Sequence, residues 1–214
     1  MITAIGDVMR RCYERGWITT RDGNCSLRRR NSSILYITPS GCRKTIIHPE
    51  HVIKCKLLAD EIGAIGISTP KNSTPSGELE MHFLLTKDAQ KCRAVLHVHP
   101  TYTIAAMFAG WDLQALASEF PEVSRYTKVG PSVPVLPVTS KILATTTAEM
   151  MGVCPVSGKL TYDIVGQANH GVCAVARNPW DAYEHVERLE HICQIALCSG
   201  RDPRSRDSLN RLEG

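Results

Sequence analysis

The chain has 214 residues, of which 43% are hydrophobic and 21% are charged, and its formal net charge is +4. This length and composition fit one soluble globular domain whose core needs neither disulfides nor structural metals. The only basic cluster, residues 28–30, is better explained as a solvated strand end than as a nucleic-acid surface, so we expect no nucleic-acid partner.

The cysteines and the first residues indicate the compartment. Nine cysteines are scattered through the chain without a CxxC pair, which favours free thiols in a reducing environment over a disulfide framework. The first 17 residues include five charged side chains and therefore lack the apolar core of a secretory signal. No run approaches the roughly 18 apolar residues of a membrane helix. We therefore expect a cytoplasmic protein without a membrane partner.

Hydrophobic spacing and turn residues predict the elements of the first half of the chain. In chain order these are a helix over residues 2–15 that Gly16 ends, short strands after Gly23-Asn24, a strand over residues 33–38, a helix that begins at Leu79 after a loop of breakers, a strand over residues 94–100 and a helix over residues 102–108.

The second half continues the alternation of strands and helices. Residues 131–138 are extended but interrupted by prolines, which suits a sheet edge. Two strands over residues 163–168 and 172–176 meet at Asn169-His170-Gly171, and Pro179 begins a last helix. The alternation predicts one layered α/β domain over residues 1–198, with a sheet covered by helices on both faces. Residues 199–214 are expected to form a polar, flexible tail.

His97-Val98-His99 is the strongest chemical signal in the sequence. Residues two apart on a strand project from the same face, so these two imidazoles can grip one ion. A catalytic zinc usually takes three protein ligands and keeps a fourth position open. His170 is the best third ligand, because Gly171 beside it lets the backbone and a ligand approach closely.

Other histidines compete for the third position, and spacing alone does not decide between them. His82, four residues after Glu78, resembles half of a helical metal pair. His185 lies on the apolar face of the last helix and is better explained as a satisfied core histidine. His48 and His51 flank Pro49 in a loop and are expected on the surface.

The loop before Leu79 suggests an anion site. Ser76 is a natural N-cap, which would leave Gly77 and Glu78 in the first turn with free backbone N–H groups that suit a phosphate. Glu78 has two interpretations, a carboxylate that complements the helix dipole and a general acid/base beside the metal. Position alone favours the first.

Two further turns could hold phosphate oxygens. Gly23-Asn24 and residues 38–41 combine glycine with small polar side chains able to donate hydrogen bonds. Either turn alone is most often just a turn.

Together, in this order, these pieces resemble the class II aldolase/adducin family over residues 2–198. The matching motifs are Gly23-Asn24-Cys25-Ser26, Ile37-Thr38-Pro39-Ser40-Gly41, Pro75-Ser76-Gly77-Glu78, His97-Val98-His99-Pro100 and Asn169-His170-Gly171. Each motif is weak singly, whereas five in the correct order are specific.

The resemblance implies a three-layer α/β/α sandwich with a central mixed, largely antiparallel sheet, assembled as a homotetramer with active sites at subunit boundaries. It implies zinc, or another divalent first-row metal, on His97, His99 and His170, with Glu78 as the catalytic carboxylate. The aldolases also use a tyrosine from a neighbouring subunit as a proton donor, and Tyr126 is the candidate here.

The resemblance also implies a set of phosphate-binding positions, and this chain departs from the aldolase pattern at two places. The implied positions are Asn24, Ser40, Gly41, Ser76 and Gly77. The aldolases often have a second serine where this chain has Gly77, which removes one side-chain donor. Arg21 replaces a small hydroxyl residue, and it could add a phosphate contact or signal a different anion.

The reaction implied first is aldol cleavage of a phosphorylated ketose through an enediolate, with the metal as a Lewis acid. A decarboxylase, epimerase or dehydratase using the same metal site is the alternative, because fold does not separate these activities. A non-catalytic binding module like the adducin heads is less favoured, since those heads are not expected to keep the metal ligands.

Overall fold

A computed structural model describes residues 2–59, 65–88, 91 and 93–202 of the chain. The helices are α1 (Thr3–Glu14), α2 (Leu79–Leu85), α3 (Thr101–Phe108), α4 (Leu113–Ser118), α5 (Pro121–Tyr126), α6 (Lys141–Met150) and α7 (Pro179–Cys198). The strands are β1 (Asn24–Arg28), β2 (Ile34–Ile37), β3 (Ile53–Ala59), β4 (Ile65–Ser68), β5 (Arg93–Val98), β6 (Ile164–Gln167) and β7 (Gly171–Ala176). Two single-turn 3-10 helices lie at Lys44–Ile46 and Pro49–His51. Most of the predicted tail, residues 203–214, lies outside the described residues.

The seven strands form one sheet in the order β4-β3-β2-β1-β5-β7-β6. Every neighbouring pair is antiparallel. Parallel pairing within the described residues is confined to two isolated bridges beside β6, Val129 with Ile164 and Val133 with Gln167. The predicted mixed, largely antiparallel sheet is therefore confirmed. The bridge at Val133 places the proline-interrupted stretch beside β6, at the end of the strand order, as predicted.

Helices cover both faces of this sheet. One core joins β1, β5 and β7 to α1, α3, α4 and α7 through side chains such as Leu27, Leu96 and Val172. On the opposite face a second core joins β5, β6 and β7 to α2 and α6 through Val95 and Leu143. These layers confirm the three-layer α/β/α architecture. Within the described part of the chain, no helix is long and apolar enough to cross a membrane.

β5 is an interior strand of the sheet, between β1 and β7, and is buried on both faces. Ala94, Leu96 and Val98 belong to the core that includes α1 and α7, whereas Val95 packs with α2 and α6. Successive strand residues alternate between faces, so His97 projects towards the α2 layer. The alternation of side chains along β5 therefore places His97, a predicted metal ligand, in the layer that contains α2.

One expectation about charge is wrong. The sequence predicts a solvated Arg28, but only 5% of this residue is exposed. Its guanidinium donates to the carbonyl oxygens of Thr86 at 2.6 Å and Lys87 at 3.1 Å. These carbonyls lie at the C-terminal end of α2, where unpaired C=O groups attract a cation. Arg28 therefore anchors α2 to the end of β1.

Candidate metal centre

Three histidines from distant parts of the chain meet at one end of the sheet. His97 is in β5, His99 lies one residue beyond its end, and His170 is in the turn between β6 and β7. One ring nitrogen from each lies within 4.8 Å of the other two, and the ring centroids are 4.8 to 5.1 Å apart. The structure therefore brings together the three histidines that the sequence predicts as metal ligands.

The β6–β7 hairpin brings His170 to β5. β7 pairs with β5 in a register that sets Cys173 opposite His97 and Val172 opposite Val98. Asn169 adopts a left-handed conformation with φ of 56°, and the His170 N–H donates to the Gln167 carbonyl at 3.0 Å. This tight turn places His170 against the two histidines from the β5 segment.

Backbone and side-chain contacts also fix the chain around His99. Its N–H donates to the Trp17 carbonyl at 2.8 Å. The next helix, α3, begins at Thr101, and the carboxylate of Glu190 in α7 accepts hydrogen bonds from the N–H groups of Tyr102 at 3.0 Å and Thr103 at 2.8 Å. A buried carboxylate at a helix N-terminus is a strong interaction. The segment that follows His97 is therefore held at both ends.

Hydrogen bonding and burial leave ring nitrogens available to a cation. His97 Nδ1 lies 3.0 Å from the Val172 carbonyl oxygen, which can only accept, so Nδ1 carries the proton and Nε2 keeps its lone pair. Burial lowers the pKa of His97 well below its usual value and that of His99 to about 4, and it lowers the pKa of His170. The three imidazoles are therefore neutral at pH 7, as metal ligands must be.

The donor set fits one divalent metal. His97 Nε2 and His99 Nε2 are 3.0 Å apart, and His170 Nδ1 is buried without a hydrogen-bond partner. Tetrahedral zinc with Zn–N bonds of about 2.0–2.1 Å places its nitrogen ligands about 3.3–3.4 Å apart. The His97 Nδ1–H bond to a backbone carbonyl is the outer contact that orients a ligating imidazole. Similar imidazole sets also suit other first-row ions.

Gly171 is the residue that lets this turn approach β5. A Cβ at this position would lie 2.5 Å from the Val98 carbonyl oxygen and 2.7 Å from His99 Cδ2. We expect Gly171→Ala to displace His99 or the hairpin and to weaken metal binding at least about tenfold, as loss of ligand orientation does. Metal titration of the metal-free protein measures this.

Gly66→Ala is the matched control for that substitution. A Cβ on Gly66, in the edge strand β4, meets no atom within 4 Å. Metal affinity equal to that of the unsubstituted protein in both variants would show that the close approach at Gly171 does not matter.

Glu78 lies beside the cluster, at the start of α2. Its Oε2 is 3.4 Å from His97 Nε2 and has no hydrogen-bond partner although it is buried. Burial raises the pKa of the Glu78 carboxyl, and hydrogen bonds from the Asn24 side chain and the Thr139 backbone partly oppose this rise. A carboxyl group with a raised pKa can hold or release a proton closer to neutral pH.

The predicted helix start at Leu79 is confirmed, whereas the predicted N-cap at Ser76 is two residues too early. α2 begins at Leu79 with Glu78 at its N-cap position. The Ser76 hydroxyl accepts a hydrogen bond from the Glu78 N–H at 3.3 Å, so that backbone donor is not free for an anion. Because a hydroxyl can donate while it accepts, the Ser76 O–H remains available to a ligand.

The three turns predicted to bind phosphate lie next to one another. The Ser40 N–H donates to the Thr74 carbonyl at 2.9 Å, and the Ser76 N–H donates to the Thr38 carbonyl at 3.1 Å. Thr38 in turn exchanges hydrogen bonds with Cys25, beside Asn24. The structure therefore brings these turns together, with Asn24 and Ser76 buried and Ser40, Gly41 and Gly77 exposed.

Arg21 and Gly77, the two departures from the aldolase pattern, both lie at the predicted phosphate-binding turns. Arg21 is exposed and donates to the Gly41 carbonyl at 3.0 Å, which puts its guanidinium at the edge of these turns. A Cβ on Gly77 would lie 3.0 Å from Thr139 Cγ2. Thr139, which no sequence motif singles out, therefore occupies the space beside Gly77.

The remaining histidines have other partners. His82 is completely buried and contacts Ser26 and Asn24, so it does not belong to the cluster of three. His185 is partly buried and lies 2.9 Å from the Thr127 hydroxyl. His48 and His51 are exposed, as expected.

Tyr126 does not approach the histidines of its own chain. It is 50% exposed at the end of α5 and lines a cavity of about 360 Å³ with Val175 and Ala176. Those two residues pair with the beginning of β5, at the opposite end of the strand from His97. The hypothesis concerned a tyrosine from a neighbouring subunit, so it remains a prediction.

Several known proteins are similar to this chain over most of its length. A family model described as the class II aldolase and adducin N-terminal domain matches residues 3–197. An L-fuculose phosphate aldolase of Methanococcus maripaludis is 27% identical over 183 residues, 86% of this chain and 88% of that protein. A methylthioribulose-1-phosphate dehydratase of a Bradyrhizobium strain is 29% identical over 89% of this chain and 88% of its own length. The solved structure of a sugar-phosphate aldolase from Thermotoga maritima has a TM-score of 0.75 at 21% identity, covering 95% of this chain and 97% of that one.

Proposed function

Because the chain belongs to the class II aldolase and adducin N-terminal domain family, we propose that it is a zinc-dependent aldolase that cleaves or forms a C–C bond in a phosphorylated ketose. The observation that carries this proposal is the meeting of His97, His99 and His170 beside the buried carboxyl group of Glu78. An adducin-like binding module would need neither the ligand set nor the acid.

A divalent metal held by the three imidazoles would supply a Lewis acid for the carbonyl and neighbouring hydroxyl oxygens of the substrate. The protein contributes the fixed geometry of that site. β5 and the β6–β7 hairpin hold the rings, and the hydrogen bond to the Val172 carbonyl leaves the His97 Nε2 lone pair free to bind an ion. Preorganised groups of this kind need no rearrangement when the charge develops.

Glu78 is proposed to move the proton. In the cleavage direction its carboxyl group gives a proton to the enediolate carbon that the broken bond leaves behind, and in the synthetic direction its carboxylate removes that proton. Burial raises the pKa of this group, which brings the two protonation states closer in free energy at neutral pH. The same carboxyl group can therefore serve both directions.

The adjoining turns, together with Asn24, are proposed to hold the phosphate. Hydrogen bonds join the turns that carry Ser40, Gly41, Ser76 and Gly77, and Arg21, bonded to the Gly41 carbonyl, would add a positive charge for the phosphate. Anchoring the phosphate orients the reacting carbons, which can supply several kcal/mol of the barrier. We further propose a cytoplasmic homotetramer in which Tyr126 of a neighbouring subunit donates a proton to the aldehyde oxygen in synthesis and takes up the substrate's hydroxyl proton in cleavage.

Incubating the metal-loaded protein with a panel of ketose 1-phosphates and β-keto acids, with products identified by mass, tests the proposal. Release of dihydroxyacetone phosphate and an aldehyde is the expected result. Carbon dioxide release would establish a decarboxylase instead, loss of water a dehydratase, and a mass-neutral product an epimerase. Each of these reactions uses the same cation and a carbanion-like intermediate, so the panel separates activities that the fold does not.

Metal analysis separates the enzyme from a binding module. About one divalent ion per chain after purification without chelator is expected, since three neutral imidazoles converge. A protein that holds no metal and turns over no substrate of the panel would be a binding module.

A further inference from the structure

A chain of hydrogen bonds links a completely buried histidine to Glu78. His82 lies on α2, one turn after Glu78, and it is 0% exposed. Its ring reaches β1, where Nδ1 lies 2.7 Å from the Ser26 hydroxyl and Nε2 contacts Asn24 Oδ1. Asn24 is paired with His97 in the neighbouring strand, and hydrogen bonding by its side chain holds the pKa of Glu78 below the value that burial alone would give. The proposed function gives His82 no role.

The chemistry of Glu78 and of the imidazole determines which group donates in each hydrogen bond of this series. An ionised carboxylate has only acceptors, so the amide nitrogen of Asn24 must face Glu78. Asn24 Oδ1 then faces His82 and accepts from Nε2–H. A neutral imidazole has one N–H, so Nδ1 must accept from the Ser26 O–H. The reversed amide would set its carbonyl oxygen against the Glu78 carboxylate and repel it.

From this geometry we infer that His82 is a positioning residue that holds the Asn24 amide with its nitrogen towards Glu78. Asn24 then donates one hydrogen to the Glu78 carboxylate and keeps the other for the substrate's phosphate. The inference rests on the proposed function, because it assigns Glu78 and Asn24 the roles given there. Without the Nε2–H donor the amide has no reason to keep this orientation.

Two substitutions at His82 separate positioning from packing. His82→Gln can keep an N–H near the position of Nε2, whereas His82→Leu fills the volume without a donor. We expect His82→Leu to lower kcat about tenfold to a hundredfold, as small displacements of catalytic groups do, while bound metal stays unchanged. We expect His82→Gln to recover most of that loss. Should the leucine variant fail to fold, His82→Met supplies another side chain without a donor.

A double-mutant cycle with Asn24→Ala provides the decisive measurement. If His82 acts through Asn24, adding His82→Leu to Asn24→Ala should lower kcat by no more than about twofold further, because the coupled group is already gone. Additive losses, or the same loss in the glutamine and leucine variants, would overturn the inference and leave His82 a packing residue.

Binding of inorganic phosphate to the metal-loaded protein, followed by calorimetry, repeats the cycle without any reaction. The leucine variant should bind phosphate about tenfold more weakly, the size expected for one hydrogen bond to a charged group, and should add nothing in the Asn24→Ala background. If the unsubstituted protein turns over no ketose phosphate, the proposed function fails, yet this binding cycle still decides whether His82 orients Asn24. Unchanged phosphate affinity in the leucine variant contradicts the orientation itself.

Discussion

Replacing Glu78 with glutamine is expected to remove most of the turnover while the protein keeps its metal. The substitution preserves the shape of the side chain but removes the group that accepts and returns the proton. General acid–base catalysis contributes about 10²–10⁴-fold, so kcat should fall by that factor on whichever ketose phosphate the protein accepts. The three imidazoles are untouched, and metal content should remain that of the unsubstituted protein.

Glu80→Gln is the control for this experiment. Glu80 is on the same helix but exposed to solvent, and the substitution removes the same charge from the protein. Its kcat should match that of the unsubstituted protein. If Glu78→Gln retains full activity with metal bound, Glu78 is not the proton carrier and the aldol mechanism loses its acid/base.

The same Glu78→Gln variant should not lose stability in the metal-free protein. Burial raises the pKa of Glu78 in the folded state above its unfolded value, so this group stabilises the fold below the unfolded pKa and loses that contribution as pH rises through the folded pKa. Above the unfolded pKa this carboxyl group therefore costs the fold free energy that an uncharged glutamine side chain does not. We expect the melting temperature of Glu78→Gln to be no lower than that of the unsubstituted protein, because residues needed for activity often reduce stability.

Replacing His170 with alanine is expected to empty the metal centre. Two imidazoles from one short segment remain, and the lost third comes from a separate hairpin. Even outer contacts to a ligand are worth about 10- to 100-fold in metal affinity, so loss of the ligand itself should weaken binding by more than about a hundredfold. Metal retained after dialysis against buffer without chelator measures the effect, and turnover should be lost with the metal.

His191→Ala provides the matched control, because His191 is exposed on α7 and is absent from the cluster. It should keep its metal and its activity. If His170→Ala binds metal as tightly as this control, the ion is held elsewhere, and His82, His185 and the exposed histidines return as candidates.

The part of the site that depends on local geometry could be predicted from the sequence. The two-residue spacing of His97 and His99 and the glycine after His170 identified a set of rings that the fold gathers. This worked although His99 lies beyond the end of β5, since its Nε2 still lies 3.0 Å from that of His97. The boundaries of α1, α3 and α7 were also close to those predicted.

Several elements were missed, some of them because they lack a strong local signal. α4 and α5 have six residues each, too few for an amphipathic period to show. β3 does alternate, with Ile53, Cys55 and Leu57 buried and lysines between them, so its period of two was a signal available in the sequence. The burial of Arg28 and the bond from His82 to Asn24 could not be predicted, because each contact joins residues 58 positions apart.

The order of the strands has a consequence for the way the protein is made. β5 pairs on one side with β1, which precedes it in the chain, and on the other side with β7, which begins only at Gly171. Until the β6–β7 hairpin has left the ribosome, a nascent chain therefore presents β5 with one unpaired edge, the kind of edge that invites pairing with another chain. The third imidazole is carried by that same hairpin. A partly synthesised chain therefore has neither the second strand partner of β5 nor the full set of ligands for a cation.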